Sequence, residues 1–135
     1  MPNTVHRRKN NIAGFIAALT ALLPLAGIAS TTQTLWPEGG MPDAQAGVAA
    51  PYLEWSDAPV APTGACVIIL PGSDYASVGD GAALQPLEAK LLANGVACVW
   101  LRHRPSAAGL PVYKPALEDA QRAVRLVRQA AAERG

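Results

Sequence analysis

The sequence predicts an α/β fold: parallel strands in one sheet, with flanking helices on both faces. Two observations carry this. Cys66 to Leu70 and Val96 to Leu101 are continuous apolar runs rich in β-branched residues, the pattern of strands covered on both sides. After each comes a stretch whose apolar residues recur every three or four positions, the pattern of a helix.

The first element along the chain is a targeting segment. A basic stretch ends at Lys9, and Ile12 to Ala29 carries no charge. Gly27 and Ala29 place small residues three and one before a cleavage point, so residues 1–29 read as a secretory signal cut before Ser30. An uncleaved membrane anchor is the other reading, weakened by Pro24 and Gly27. Arg7-Arg8 is a weak twin-arginine signal, because Lys9-Asn10-Asn11 follows where an apolar residue is expected. The product is therefore expected to be secreted or periplasmic, touching a membrane only through this segment.

Residues 30–50 are rich in Thr, Gly, Pro and Ala without a clear period and read as an extended lead-in. The domain proper is expected over 51–135. Tyr52 to Trp55 alternates and reads as a short strand, and the prolines and glycine from Asp57 to Gly64 read as a loop. Cys66 to Leu70, bounded by Gly64 and Pro71, is too short for a helix and reads as a buried strand. Pro71-Gly72 suits the centre of a type II turn with Gly72 at positive φ. Pro86 fits the first turn of a helix, Leu87, Leu91 and Leu92 follow at helical spacing, and Asn94-Gly95 ends it. Val96 to Leu101 is the second buried strand.

The last helix is expected from Pro115 to Glu133. Leu117, Ala120, Val124, Val127 and Ala131 form one apolar stripe. Glu118 and Arg122 have the spacing of a surface ion pair, and Glu118 and Asp119 are placed in the first turn, favourable to the helix dipole.

Composition narrows the function. The 135 residues carry a formal net charge of +1, which gives nucleic acid no electrostatic footprint to bind. Arg122, Arg125 and Arg128 read as a solvated helix face. No Cys/His cluster has metal-ligand spacing, no cofactor is implied, and the first strand-to-helix turn lacks G-x-G-x-x-G, so a dinucleotide site is not supported. Cys66 and Cys98 each open a strand in the setting Ala-Cys-Val. Neighbouring strands would bring them near one another, but parallel strands seldom give disulfide geometry, and inert core thiols are the other reading.

Three stretches resemble a known family. Leu35-Trp36-Pro37-Glu38-Gly39-Gly40-Met41-Pro42-Asp43-Ala44 looks like the LWPxGxxPxA lead-in of secreted α/β-hydrolase esterases of the acetyl-xylan esterase (carbohydrate esterase) type. Val67 to Tyr75 resembles their strand and PGGGY loop. Val99-Trp100-Leu101-Arg102-His103-Arg104 with Pro115 to Ala123 is similar to their LRYRL…PAPLEDAQRA segment. The resemblance implies part of an α/β-hydrolase fold, truncated before the nucleophile strand, from an enzyme with a Ser-His-Asp/Glu triad acting on acylated carbohydrate or related esters.

It also implies site residues. Pro71 and Gly72 would shape the loop after the first buried strand, and the backbone N–H groups of Ser73 and Asp74 would form half of an oxyanion hole. Ser73 and Asp74 stand where the family has glycines, which crowds the site and sets a carboxylate beside developing negative charge. An ordinary surface turn is the competing reading. The nucleophile is absent: no serine lies in G-x-S-x-G. His103 stands where the family is usually aromatic, which favours a packing residue over a base. Arg104 and Asp119 are expected to form a structural ion pair between the strand end and the last helix.

In the family's strand order the nucleophile strand lies beside Cys66–Leu70, so this chain should expose an apolar edge and self-associate. The chain thus reads as the N-terminal portion of an exported ester hydrolase whose full-length form takes an ester substrate. A non-catalytic exported α/β binding protein is the alternative.

Overall fold

A computed structural model describes residues 30–72 and 74–134. The signal reading of residues 1–29 and the expectation for Ser73 lie outside the described residues. Four strands, β1 (Ser30–Thr34), β2 (Tyr52–Ser56), β3 (Cys66–Ile69) and β4 (Ala97–Arg102), form one sheet in the order β1-β2-β4-β3. Helix α1 (Gln85–Ala93), entered through a 3₁₀ turn at Ala82–Leu84, joins β3 to β4. Helix α2 (Lys114–Arg134) follows β4.

The α/β fold class read from the sequence is present, and the β3–β4 pair is parallel. The sheet as a whole is mixed, because β1–β2 and β2–β4 are antiparallel. The segment Ser30–Thr34, read as lead-in, is the outer strand β1. All five of its residues are exposed and polar, so it has no apolar alternation to betray it. Its place is held from the side, where Trp55 Nε1 donates to Gln33 Oε1 at 3.0 Å.

Strand parity divides the core. On β4, Val99 and Leu101 face one side and join Leu53, Trp55, Leu35 and Ala123 of α2. Cys98 and Trp100 face the other and join Ile69 and Leu92 of α1. Each face of β4 therefore carries its own helix, as the continuous apolar run predicts.

Parity also decides the cysteines. Cys66 pairs with Ala97, one residue out of step with Cys98, so the two thiols lie on opposite faces and both are free. Adjacent strands do not bring them together. Cys98 is fully buried, and burial, then Glu88, pushes its thiol up to about 11. Cys66 is exposed on the α2 side, its pKa raised by partial burial and then by Asp57.

Gly81 enters the 3₁₀ turn at φ +79°, where an added Cβ would sit 2.3 Å from a Trp100 ring carbon. The turn can thus lie flat on the indole only because it has no side chain there.

Gly81→Ala should cost about 2–4 kcal/mol, adding left-handed strain to overpacking. Gly109→Ala, at φ +78° but in open space, should cost about 1 kcal/mol. Urea unfolding midpoints check the contrast. In native protein at pH 8, a thiol reagent should modify Cys66 and leave Cys98 untouched until the chain unfolds.

Candidate functional site

The C-terminal ends of parallel strands are where α/β sheets place their ligands. Here β3 and β4 end beside a cavity of about 500 Å³, walled by Leu70, Gly72, Asp74, Tyr75, His103 and Tyr113, with Ala116, Leu117 and Ala120 of α2 beneath. Pro71 is buried and Gly72 lies in the wall with open space where a side chain would be.

The expected turn at Pro71-Gly72 is not there. Gly72 is not at positive φ; the left-handed residues are Asp74 (φ 48°) and Tyr75 (φ 59°). The chain bends at those residues, where the backbone N–H of Ser106 donates to Tyr75 O at 2.6 Å. Aspartate tolerates the left-handed region, but a tyrosine there is costly, so the surrounding contacts must hold it.

Arg102 secures the far end of the same loop. Its Nη1 donates to Gly79 O (3.3 Å) and Asp80 O (3.1 Å), and its Nε to Glu54 Oε2 at 3.0 Å. The guanidinium lies 5.2 Å over the Trp100 ring. The segment between Tyr75 and Gly79 is thereby tied at one end to the loop that follows β4 and at the other to β4 itself.

His103 forms the cavity wall next to β4 and is buried. Its Nδ1 lies 2.8 Å from Arg104 O. A carbonyl can only accept, so Nδ1 is the donor in this contact.

Arg104 and Asp119 are brought together beneath this site. Asp119 is 0% exposed and Arg104 3%. Arg104 Nη2 donates to Asp119 Oδ1 at 2.8 Å, Nε to Oδ2 at 3.0 Å, and the Arg104 backbone N–H to Oδ2 at 2.8 Å. Glu118 Oε2 accepts from the same Nη2 at 3.2 Å, and Pro42 O accepts from Nη1. Burial pulls the Arg104 pKa down, but the Asp119 and Glu118 carboxylates outweigh it and leave the group raised. The pair is bidentate and fully dry, the geometry in which an ion pair is worth its desolvation.

Three surface expectations on α2 are corrected. The helix begins at Lys114, so Glu118 and Asp119 fall beyond its first turn. Arg122 does not pair with Glu118; its Nε donates to Leu35 O at 3.1 Å and its guanidinium lies 5.6 Å over Trp36. Arg122 is accordingly half-buried, while Arg125 and Arg128 are exposed.

Sequence reasoning missed Trp36 as a member of the buried network. Its Nε1 donates to Asp119 Oδ1 at 2.8 Å, so the carboxylate binds the lead-in, the β4 end and α2 at once. Lys114, ion-paired with Asp43, adds a second tie to the lead-in. The signal available was the tryptophan itself, an indole donor that needs a partner when buried.

No family model matches the chain, and no curated protein matches it. Two solved structures are similar. One is the acetyl ester-xyloside bifunctional hydrolase from Caldicellulosiruptor lactoaceticus, with TM-score 0.64 and 25% identity, over 77% of this chain and 38% of that one. The other is MGS-M1, an alpha/beta hydrolase enzyme from a Medee basin deep-sea metagenome library, with TM-score 0.53 and 19% identity, over 80% of this chain and 42% of that one. The fold is that of part of an α/β hydrolase. The chain spans about two fifths of the length of either structure.

Asp119→Ala, which strands a buried guanidinium, should destabilise the protein by about 3–5 kcal/mol. Replacing both partners, Arg104→Met with Asp119→Leu, should recover much of that loss, as read from chemical denaturation.

Proposed function

We propose that this chain is the N-terminal portion of an exported, serine-dependent carboxylic-ester hydrolase acting on acylated carbohydrate or related esters. The observation that carries the reading is the place of the 70–75 loop, which leaves the C-terminal end of a parallel strand and bends beside the cavity. Support for the substrate class comes from the similar structure whose name is acetyl ester-xyloside bifunctional hydrolase.

In this reading the backbone N–H groups of Ser73 and Asp74 bind the oxyanion of the tetrahedral intermediate. Fixed donors need no reorganisation as charge develops, and the ties from Ser106 to Tyr75 and from Arg102 to Gly79 and Asp80 hold the loop still. Gly72 leaves room for the acyl group. Export follows from residues 1–29.

The 135 residues contain no G-x-S-x-G, so in the hydrolase reading the nucleophile and its partners are residues not among them. His103 serves as wall rather than base, its Nδ1 engaged with Arg104 O. Asp74 favours a second reading, because a carboxylate beside an oxyanion site opposes the chemistry; in that reading the exported domain binds a ligand without turning it over.

Reading the transcript past the Gly135 codon distinguishes the two. The hydrolase reading expects an in-frame strand, then G-x-S-x-G, then Asp and His. A stop codon there would leave the binding protein. The 135-residue chain alone should hydrolyse p-nitrophenyl acetate no faster than background.

A further inference from the structure

We propose that a second cavity, next to the candidate site, binds a ring of a neutral carbohydrate. It holds about 390 Å³, within the roughly 300–1,000 Å³ usual for small-ligand sites. Its wall takes Ala49 from the lead-in, Tyr52 from β2, Asp80 from the loop before α1, and Arg102 and His103 at the end of β4. No lining residue belongs to β3 or α2. The cavity therefore lies toward the β1–β2 side of the sheet, and whatever pairs with the far edge of β3 leaves it unchanged.

Three groups in this wall have bonding capacity left over. Arg102 spends Nε on Glu54 and Nη1 on the Gly79 and Asp80 carbonyls, while its Nη2 engages no described residue. Asp80 Oδ1 accepts from the Ala82 backbone N–H at 2.9 Å, and Oδ2 has no partner among the described residues. Tyr52 is half-buried, and its hydroxyl bonds to none of the described residues. These groups are held in place beforehand. Three acceptors and the Trp100 ring, 5.2 Å away, fix the guanidinium, and the tie to Ala82 fixes the carboxylate. Little ordering is left for a ligand to impose.

The set selects a ligand that both donates and accepts. An anion would meet Asp80, and a cation would meet Arg102. A neutral ring with adjacent hydroxyls suits both, one hydroxyl donating to Oδ2 and another accepting from Nη2. The apolar C–H face of a sugar ring can lie on the Tyr52 ring. The apolar remainder of the wall is small side chains and backbone, such as Ala49 and Gly79, which leave width for a flat ring.

His103 belongs to the walls of both cavities. A sugar seated here would direct an acylated hydroxyl past the imidazole toward the 70–75 loop. That last step rests on the ester-hydrolase reading; the sugar site itself rests on the cavity alone.

The test is saturation-transfer NMR titration of the 135-residue chain with xylobiose, and with glucuronate and glucosamine as its anionic and cationic counterparts. Xylobiose should bind saturably with Kd on the order of 1 mM, and each charged sugar about tenfold more weakly or worse. Asp80→Asn keeps an oxygen for the Ala82 N–H and should weaken xylobiose about tenfold, with the urea midpoint unchanged. Ala49→Phe, at an exposed position, fills the cavity and should abolish binding without touching the core. No saturable xylobiose binding by the wild-type chain overturns the proposal. So does xylobiose binding that Ala49→Phe leaves intact, or a charged sugar that binds tighter than xylobiose. A stop codon after Gly135 would remove the hydrolase reading and leave this binding to be measured. A G-x-S-x-G continuation without xylobiose binding would keep the hydrolase and overturn the sugar site.

Discussion

The buried pair of Arg104 and Asp119 is the constraint on which the candidate site depends. Two charges removed from water demand that every donor and acceptor around them be matched. Here one carboxylate takes the Arg104 guanidinium, the Arg104 backbone N–H and the Trp36 indole. That set fixes where β4 ends, where α2 begins and where the lead-in crosses both. His103, next in the chain to Arg104, is placed in the cavity wall by the same geometry.

The cavity sits above this anchor, and its loop is held by weaker but well-placed ties. Two consecutive left-handed residues without glycine are a stored cost. Ser106 holds one side of the bend and Arg102 the other side of the loop. A loop so fastened can present backbone donors at a constant position, which electrostatic stabilisation of an oxyanion requires. The same rigidity would serve a binding site equally well.

β4 was readable because a strand covered on both faces must be apolar at every position; β3 was readable from the same kind of apolar run, but it is not the fully buried strand expected, since Cys66 is exposed and only Ile69 is buried. α1 was readable from Pro86 and from Asn94-Gly95, residues whose backbone preferences act locally: α1 ends at Ala93 and Gly95 takes φ +77°. β1 was not readable, because an exposed edge strand of Ser, Thr and Gln has no hydrophobic pattern. The α2 stripe was visible as a period, but Leu117 and Val124 prove exposed while Ala116, Asp119 and Ala123 are buried. Periodicity gives the stripe's direction to within a residue or so and cannot tell how far the sheet beneath extends.

The sequence by itself determined the alternation of strands and helices, the two-sided burial of β4 and the absence of a G-x-S-x-G motif, since these depend on residue type and local spacing. Only the tertiary structure decided the antiparallel entry of β1 and β2, the separation of Cys66 from Cys98, the shift of the bend to Asp74 and Tyr75, and the role of Trp36. Each of these depends on register or on contact between residues distant in the chain. Such contacts are set by how whole elements pack, and no local pattern encodes them.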